Sequence, residues 1–309
     1  MRTAFLAALF ELAKHDERIM FITGDLGYTV VEPFMNELPK QFLNAGVAEQ
    51  NMTGMAVGLA LSGKIVFTYS IANFPTLRCL EHIRNDVCYH HANVKIVAVG
   101  GGFAYGAMGA SHHATEELGI MRLLPGITVM APGDPVEAVH ATRAVVEQSG
   151  PFYLRLGKAG EPTVHQGDID FKIGRAIQLR DGKDITLIST GSLLHTAVNV
   201  TEQLAAQGIS SRLLSMHTLK PLDNDAILSA ARQTRAIVTL EEHSILGGLG
   251  GAVAEVLAEA DEVHVPFRRI GLPPVFSPHI GSQSYMLEKH ELDAASLVKT
   301  IGKFLAKAN

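Results

Sequence analysis

Asn44-Ala45-Gly46-Val47-Ala48-Glu49-Gln50-Asn51-Met52-Thr53-Gly54-Met55-Ala56-Val57-Gly58-Leu59-Ala60 places one carboxylate at the start of a segment that is otherwise small and apolar. The run predicts a helix buried all round, with Glu49 buried in its first turn. A buried carboxyl suits a group that shares a proton with a weakly basic nitrogen. A simpler role is open at this point: a first-turn glutamate also complements the helix dipole.

Outward from this helix, short β-branched and apolar runs alternate with helix-length segments, the pattern of βαβ units and a mostly parallel sheet. Strands are expected at Ile19–Thr23, Ile65–Tyr69, Val94–Val99, Ile127–Ala131 and Phe152–Leu156, with a short extended piece at Gln41–Asn44. Asp134-Pro135 opens a helix, the aspartate accepting free backbone N–H groups and the proline presetting φ. Periodicity lapses between Lys158 and Lys183, where Gly160, Pro162, Gly167, Gly174 and Gly182 gather. A second α/β run follows, with strands at Ile185–Ser189, Ser211–Ser215, Ala236–Leu240 and Val263–Ile270. Its helices fall near Leu193–Gln207, Asn224–Arg232, Gly251–Glu259 and Ala294–Leu305. The fold class is therefore α/β: two three-layer domains, 1–165 and a smaller 184–309, joined by a linker over 166–183.

Composition narrows the class of function. The 309 residues are 47% hydrophobic and 18% charged, enough for a large core, yet no run approaches the roughly 18 apolar residues of a membrane span. Lys+Arg 26 against Asp+Glu 31 gives a net charge of −5 with no basic cluster, so nucleic acid is not an expected partner. The N-terminal segment, with Glu11 and Lys14 after its apolar run, reads as an amphipathic helix and not a secretion signal. The two cysteines, Cys79 and Cys88, fit neither a bridge nor a metal spacing, which accords with a reducing cytoplasm.

The segment Gly46–Ala60 resembles the pyrimidine-domain signature of the transketolase family of thiamine diphosphate enzymes. Thr68-Tyr69-Ser70, Glu81-His82-Ile83-Arg84-Asn85-Asp86-Val87, Ser111-His112-His113 and Leu123-Leu124-Pro125-Gly126-Ile127 through Asp134 follow in the family's order. Ile185–Ser192, Leu214-Ser215-Met216 and Leu240–Gly250 resemble the family's carboxy-terminal domain, so the likeness covers nearly the whole chain.

The resemblance assigns roles. The counterpart of Glu49 hydrogen-bonds the aminopyrimidine nitrogen of thiamine diphosphate and favours its imino tautomer, which makes Glu49 catalytic and cofactor-binding. His112 matches a histidine that faces substrate oxygen near the reactive carbon, with Ser111 in place of a threonine; His113 is left open. Tyr69 and Phe74 lie where the family packs aromatic rings on the aminopyrimidine; a sheet-edge core role reads equally well for Tyr69, and Phe74 is the better candidate. Asp25 resembles an acidic residue near the cofactor across a subunit contact, though a turn aspartate after a strand reads equally well. Lys158 falls at a phosphate-binding arginine of the family; Arg155 resembles the deoxyxylulose-phosphate-synthase branch, though a strand-end arginine is more often a salt-bridge residue, and its role is left open. Met108 and Gly100 stand where transketolases place a sugar-reading aspartate and a phosphate-binding histidine, so ordinary sugar-phosphate selectivity is not implied. Gly247-Gly248-Leu249-Gly250-Gly251 lacks dinucleotide spacing and reads as a close-packing turn.

The family's Gly-Asp-Gly segment and following asparagines, which hold Mg2+ or Ca2+ and the diphosphate, have no counterpart; Gly133-Asp134-Pro135 and Gly167-Asp168-Ile169 are the nearest. The resemblance thus implies the carboxy-terminal subunit of a split transketolase. It would move a two-carbon ketol unit between sugar phosphates and work with an amino-terminal subunit in an α2β2 assembly. Within the family, a deoxyxylulose-phosphate-synthase-like enzyme or a 2-oxo-acid dehydrogenase β chain is the alternative; from another class, a non-catalytic scaffold.

Overall fold

The computed structural model describes residues 1–261 and 264–308. Its strands are β1 (Ile19–Thr23), β2 (Phe42–Asn44), β3 (Ile65–Ile71), β4 (Val94–Val99), β5 (Thr128–Met130), β6 (Phe152–Leu156), β7 (Ile177–Arg180), β8 (Ile185–Ser189), β9 (Ser211–Ser215), β10 (Thr218–Lys220), β11 (Ile237–Ser244) and β12 (Phe267–Leu272). One sheet runs β10-β5-β6-β4-β3-β1-β2 and the other β12-β11-β8-β9-β7. All neighbours are parallel except β10 on β5 and β7 on β9. β1, β4 and β6 are buried at every residue, as a parallel sheet covered on both faces requires, and so read as continuous apolar runs.

On one face of the first sheet, helix Arg2–His15 presents Phe5, Leu6, Leu9 and Ala13 beside Ala138, Ala141 and Val145 of helix Pro135–Glu147. Asp134 caps that second helix, accepting Glu137 N–H at 2.8 Å, with Pro135 in the first turn. The opposite face takes Met52, Ala56 and Val57 of helix Glu49–Leu61, and its core runs on without a break into Ile188, Leu214, Ile227 and Val253 of the second domain. Helices Leu194–Ala206 and Ala294–Ala308 cover the far side of the second sheet.

The structure departs from the sequence reading in several places. Helix Glu49–Leu61 buries one side only: Gln50, Asn51, Gly54, Gly58 and Leu61 are exposed, and a Cβ at Gly54 or Gly58 would meet nothing within 4 Å. Small residues kept the helix uniformly apolar, so composition concealed an open face. The stretch expected as linker carries β7, whose Ile177-Gln178-Leu179-Arg180 alternation marks a half-buried edge strand. Upstream of it, Asp134 Oδ2 accepts Val164 N–H and His165 N–H at 2.8 and 3.0 Å, fastening the chain to the first domain. Finally, β12 begins at Phe267; Val263, where that strand was expected to start, lies outside the described residues. Among the described residues no helix is long and apolar enough to cross a membrane, and Cys79 and Cys88 are buried free thiols.

Candidate active site

Asp25, Glu49, Phe74, His112 and Lys158 all follow the carboxyl ends of parallel strands: β1, β2, β3, β4 and β6 in turn. In an open parallel sheet this edge gathers ligands, above all where the strand order reverses. Here the reversal falls at β1, between β2 and β3. At that point Gly24 leaves room beside three groups: a Cβ there would stand 3.6 Å from Gly46 O, 3.6 Å from Ser70 Oγ and 3.7 Å from Glu49 Cγ. The Glu49 side chain thus lies against a surface of small residues at the switch point.

Glu49 is 2% exposed. Its Oε2 accepts Arg78 Nη1–H at 2.8 Å, and its Oε1 accepts no hydrogen bond from the described residues. Phe74 lies beside the pair, with the Arg78 guanidinium 4.7 Å above its ring and the His112 ring 5.1 Å away, edge to face. His112 sits on the loop after β4, Nδ1 3.0 Å from Ser111 Oγ, and is half-buried. Tyr105 closes the next side, 6.2 Å from His112 by ring centres, with Lys158 Nζ 4.6 Å over its face. The Tyr105 ring packs on Gly100, which has φ +86°, in space that any side chain at position 100 would occupy.

The structure therefore brings Glu49, Phe74 and His112 together, with Lys158 at the rim. Tyr69 is placed otherwise. Its ring is fully buried among Phe5 and Phe21, because strand alternation sends Ser70 toward Glu49 and Tyr69 to the other side of the sheet. Asp25 is exposed at φ +57°, accepting hydrogen bonds from Tyr28 Oη and Asn44 Nδ2 at 2.9 Å each, and these hold its carboxyl below the usual range. It is the turn aspartate of the β1 end, within the same edge of the sheet. His113 is buried, its Nε2 3.1 Å from Gly106 O and its ring against Phe103, so it shapes the loop that carries His112.

The second domain grips that loop. Phe103 N–H donates to Glu242 Oε1 at 2.7 Å, and Ser244 N–H donates to Thr115 O at 2.7 Å. Gly119 N–H donates to His243 Nε2 at 3.2 Å. Arg155, buried as a salt-bridge residue, pairs with Glu117 at 2.8 Å and donates to Ala114 O and Glu242 O. Burial pushes the Glu117 carboxyl up to about 7 against the pull of Arg155, and pushes the His243 imidazole down to about 4, helped by the Arg155 charge. In the glycine turn 247–251, Glu241 accepts Leu249 N–H and Gly250 N–H at 2.7 and 2.8 Å, capping the helix from within the chain. Burial raises that carboxyl to about 7. Sequence reading missed Arg78, Tyr105 and Glu242. Arg78 offered one signal, a lone charge between Leu77 and Cys79.

Among the described residues no three His, Cys, Asp or Glu side chains gather to hold a metal. The residues do fit an aminopyrimidine: a carboxylate oxygen that accepts no bond from the described residues, an aromatic neighbour and small residues at the switch point.

Comparison with known proteins bears on the family of the chain. The family model described as transketolase, pyrimidine binding domain, matches residues 1–161, and that of the transketolase C-terminal domain matches residues 174–297. The chain is 39% identical over 308 residues to a subunit of the apulose-4-phosphate transketolase of Phocaeicola vulgatus, covering 99% of this chain and 97% of that protein. It is 36% identical over 310 residues to the SqwH subunit of the 6-deoxy-6-sulfo-D-fructose transketolase of Clostridium sp. (strain MSTE9), covering 100% and 95%. A solved structure described as a split gene transketolase, inactive beta4 tetramer, superposes with TM-score 0.89 at 38% identity, over 100% of this chain and 98% of that one. With both domains matched over most of its length, and with Glu49 set at the switch point of the pyrimidine-domain sheet, the chain belongs to the transketolase family, whose cofactor is thiamine diphosphate.

Proposed function

We propose that this chain supplies the aminopyrimidine half of an active site completed by an amino-terminal transketolase chain. The assembly, α2β2 in this reading, transfers a two-carbon ketol unit from a ketose to an aldehyde acceptor in the cytoplasm. The observation that carries the reading is Glu49: a buried carboxylate with one oxygen tied to Arg78 and the other free, at the sheet edge beside Phe74 and His112.

Thiamine diphosphate, when bound, supplies the carbon nucleophile that takes up the ketol unit. Glu49 Oε1, which accepts no bond from the described residues, would accept a hydrogen bond from the ring nitrogen when that nitrogen carries a proton. Phe74 offers the ring an apolar neighbour. His112, with Nδ1 engaged by Ser111, turns Nε2 to a substrate oxygen as donor or acceptor. Lys158 meets the anionic end of the substrate as a point charge; the two subunit relatives above are named for a phosphate-bearing and a sulfo-bearing sugar, which supports an acidic tail. The diphosphate and its Mg2+ or Ca2+ fall to the partner chain, because this sequence lacks a Gly-Asp-Gly segment.

The test is reconstitution with the chain that carries that segment, followed by titration with thiamine diphosphate and Mg2+. Saturable binding is expected only with both chains present, with turnover on a ketose phosphate and none on pyruvate. Turnover on pyruvate would place the chain with the decarboxylating members of the family, and cofactor binding without turnover on either donor would make it a scaffold.

A further inference from the structure

Arg78 touches both groups that an aminopyrimidine needs. Its Nη1–H donates to Glu49 Oε2 at 2.8 Å while its guanidinium carbon lies 4.7 Å over the Phe74 ring. Its own backbone oxygen accepts Gln50 Nε2–H at 2.9 Å, tying the turn at 77–79 to the first turn of the Glu49 helix. Phe74 in turn meets His112 edge to face.

We propose that Arg78 is a positioning residue: it fixes Glu49 through Oε2 and Phe74 through its ring face, so that Oε1 and the ring meet the cofactor as one rigid unit. The proposal rests on the cofactor reading above. An ordinary surface ion pair has little effect, but here one partner is 2% exposed, and a charge-assisted hydrogen bond to a buried carboxylate is both stronger and more directional. A glutamate held at one oxygen by a guanidinium cannot readily rotate its other oxygen away, and a 1 Å error in such a group is enough to cost about 100-fold in rate. The guanidinium plane is needed for both contacts at once. A lysine ammonium could reach the carboxylate but has no plane to lay on the ring.

The experiment compares wild type, Arg78→Lys and Arg78→Met in the complex reconstituted with its partner. It reads thiamine diphosphate Kd, the near-ultraviolet circular dichroism of the bound aminopyrimidine, and the melting temperature of the complex before cofactor is added. Arg78→Met is expected to raise Kd at least about tenfold and to diminish the dichroic band, with Arg78→Lys restoring part of each. A melting temperature lowered with Kd and band unchanged would overturn the proposal, as would tighter binding by Arg78→Met, which would make Arg78 a competitor for the site. If wild type itself bound no thiamine diphosphate, the cofactor reading would fall, and the proposal with it; wild-type binding with unaltered variants removes the proposal alone.

Discussion

Phe103 and Glu242, 139 residues apart and in different domains, are joined by a buried 2.7 Å hydrogen bond from the Phe103 backbone N–H to Glu242 Oε1. The same carboxylate accepts Ser192 Oγ–H at 2.7 Å and two contacts from Gln283 Nε2 at 3.1 and 2.9 Å. Glu242→Ala would leave the buried Phe103 N–H without an acceptor and take the partner from the half-buried Ser192 and Gln283, and a cost of about 2–4 kcal/mol is expected in urea unfolding. Because Phe103 opens the loop that carries His112, activity of the surviving folded enzyme is also expected to fall. A loss under about 1 kcal/mol with full activity would show that the second domain does not hold the loop.

His112 and His113 are neighbours with opposite environments. His112→Ala is expected to lower kcat/KM by roughly 10- to 1000-fold with the melting temperature little changed, since its ring is half-buried against Phe74 and Tyr105 at the edge of the sheet. His113→Ala removes a buried ring from Phe103 and a bond to Gly106 O, and is expected to lower the melting temperature instead. The reverse pattern, measured by thermal melting and steady-state kinetics, would exchange their roles.

Strand identity was legible because fully buried parallel strands are continuous apolar runs; β1, β4, β6, β8 and β9 lie where the sequence placed them. Glu49 and His112 stood out in the sequence because each lies in a segment that resembles the family, and the structure sets them with Phe74 at one edge of the sheet. Of the two readings open for Tyr69, the structure has the core one: two-residue alternation turns its ring from Glu49 while Ser70 faces it. Arg78 and Glu242 were out of reach for a different reason. Their meaning lies in partners 29 and 139 residues away, and no period in a sequence encodes such pairs. β7 was hidden by glycines on either side, and β10 by its pairing with a sheet of the other domain.

His243 gives a pH signature. Burial lowers its pKa from 6.5 to about 4, so between those values the unfolded chain binds more protons than the folded one. Its contribution is complete above pH 6.5 and is lost as pH falls toward 4. The stability difference between wild type and His243→Asn, from urea titrations at several pH values, should shrink on acidification across that window by at most about 3 kcal/mol and stay flat above it. A difference that grew on acidification would contradict the burial argument.

Lys158 is exposed at the rim over Tyr105. Lys158→Met should raise KM for a phosphorylated substrate about 3- to 30-fold and leave that for its unphosphorylated analogue within about twofold, an effect that weakens as salt is added. Equal effects on both substrates would remove the point-charge role.

The central claim is that Glu49 is the group on which ketol transfer turns. Its most direct test is the turnover of a ketose phosphate by the complex reconstituted with Glu49→Gln, alongside sedimentation to establish that the complex still assembles. The account predicts intact assembly and a loss of activity on the order of 100- to 10,000-fold, the range for removal of a group that governs proton transfer. Full activity in the assembled Glu49→Gln complex would contradict it.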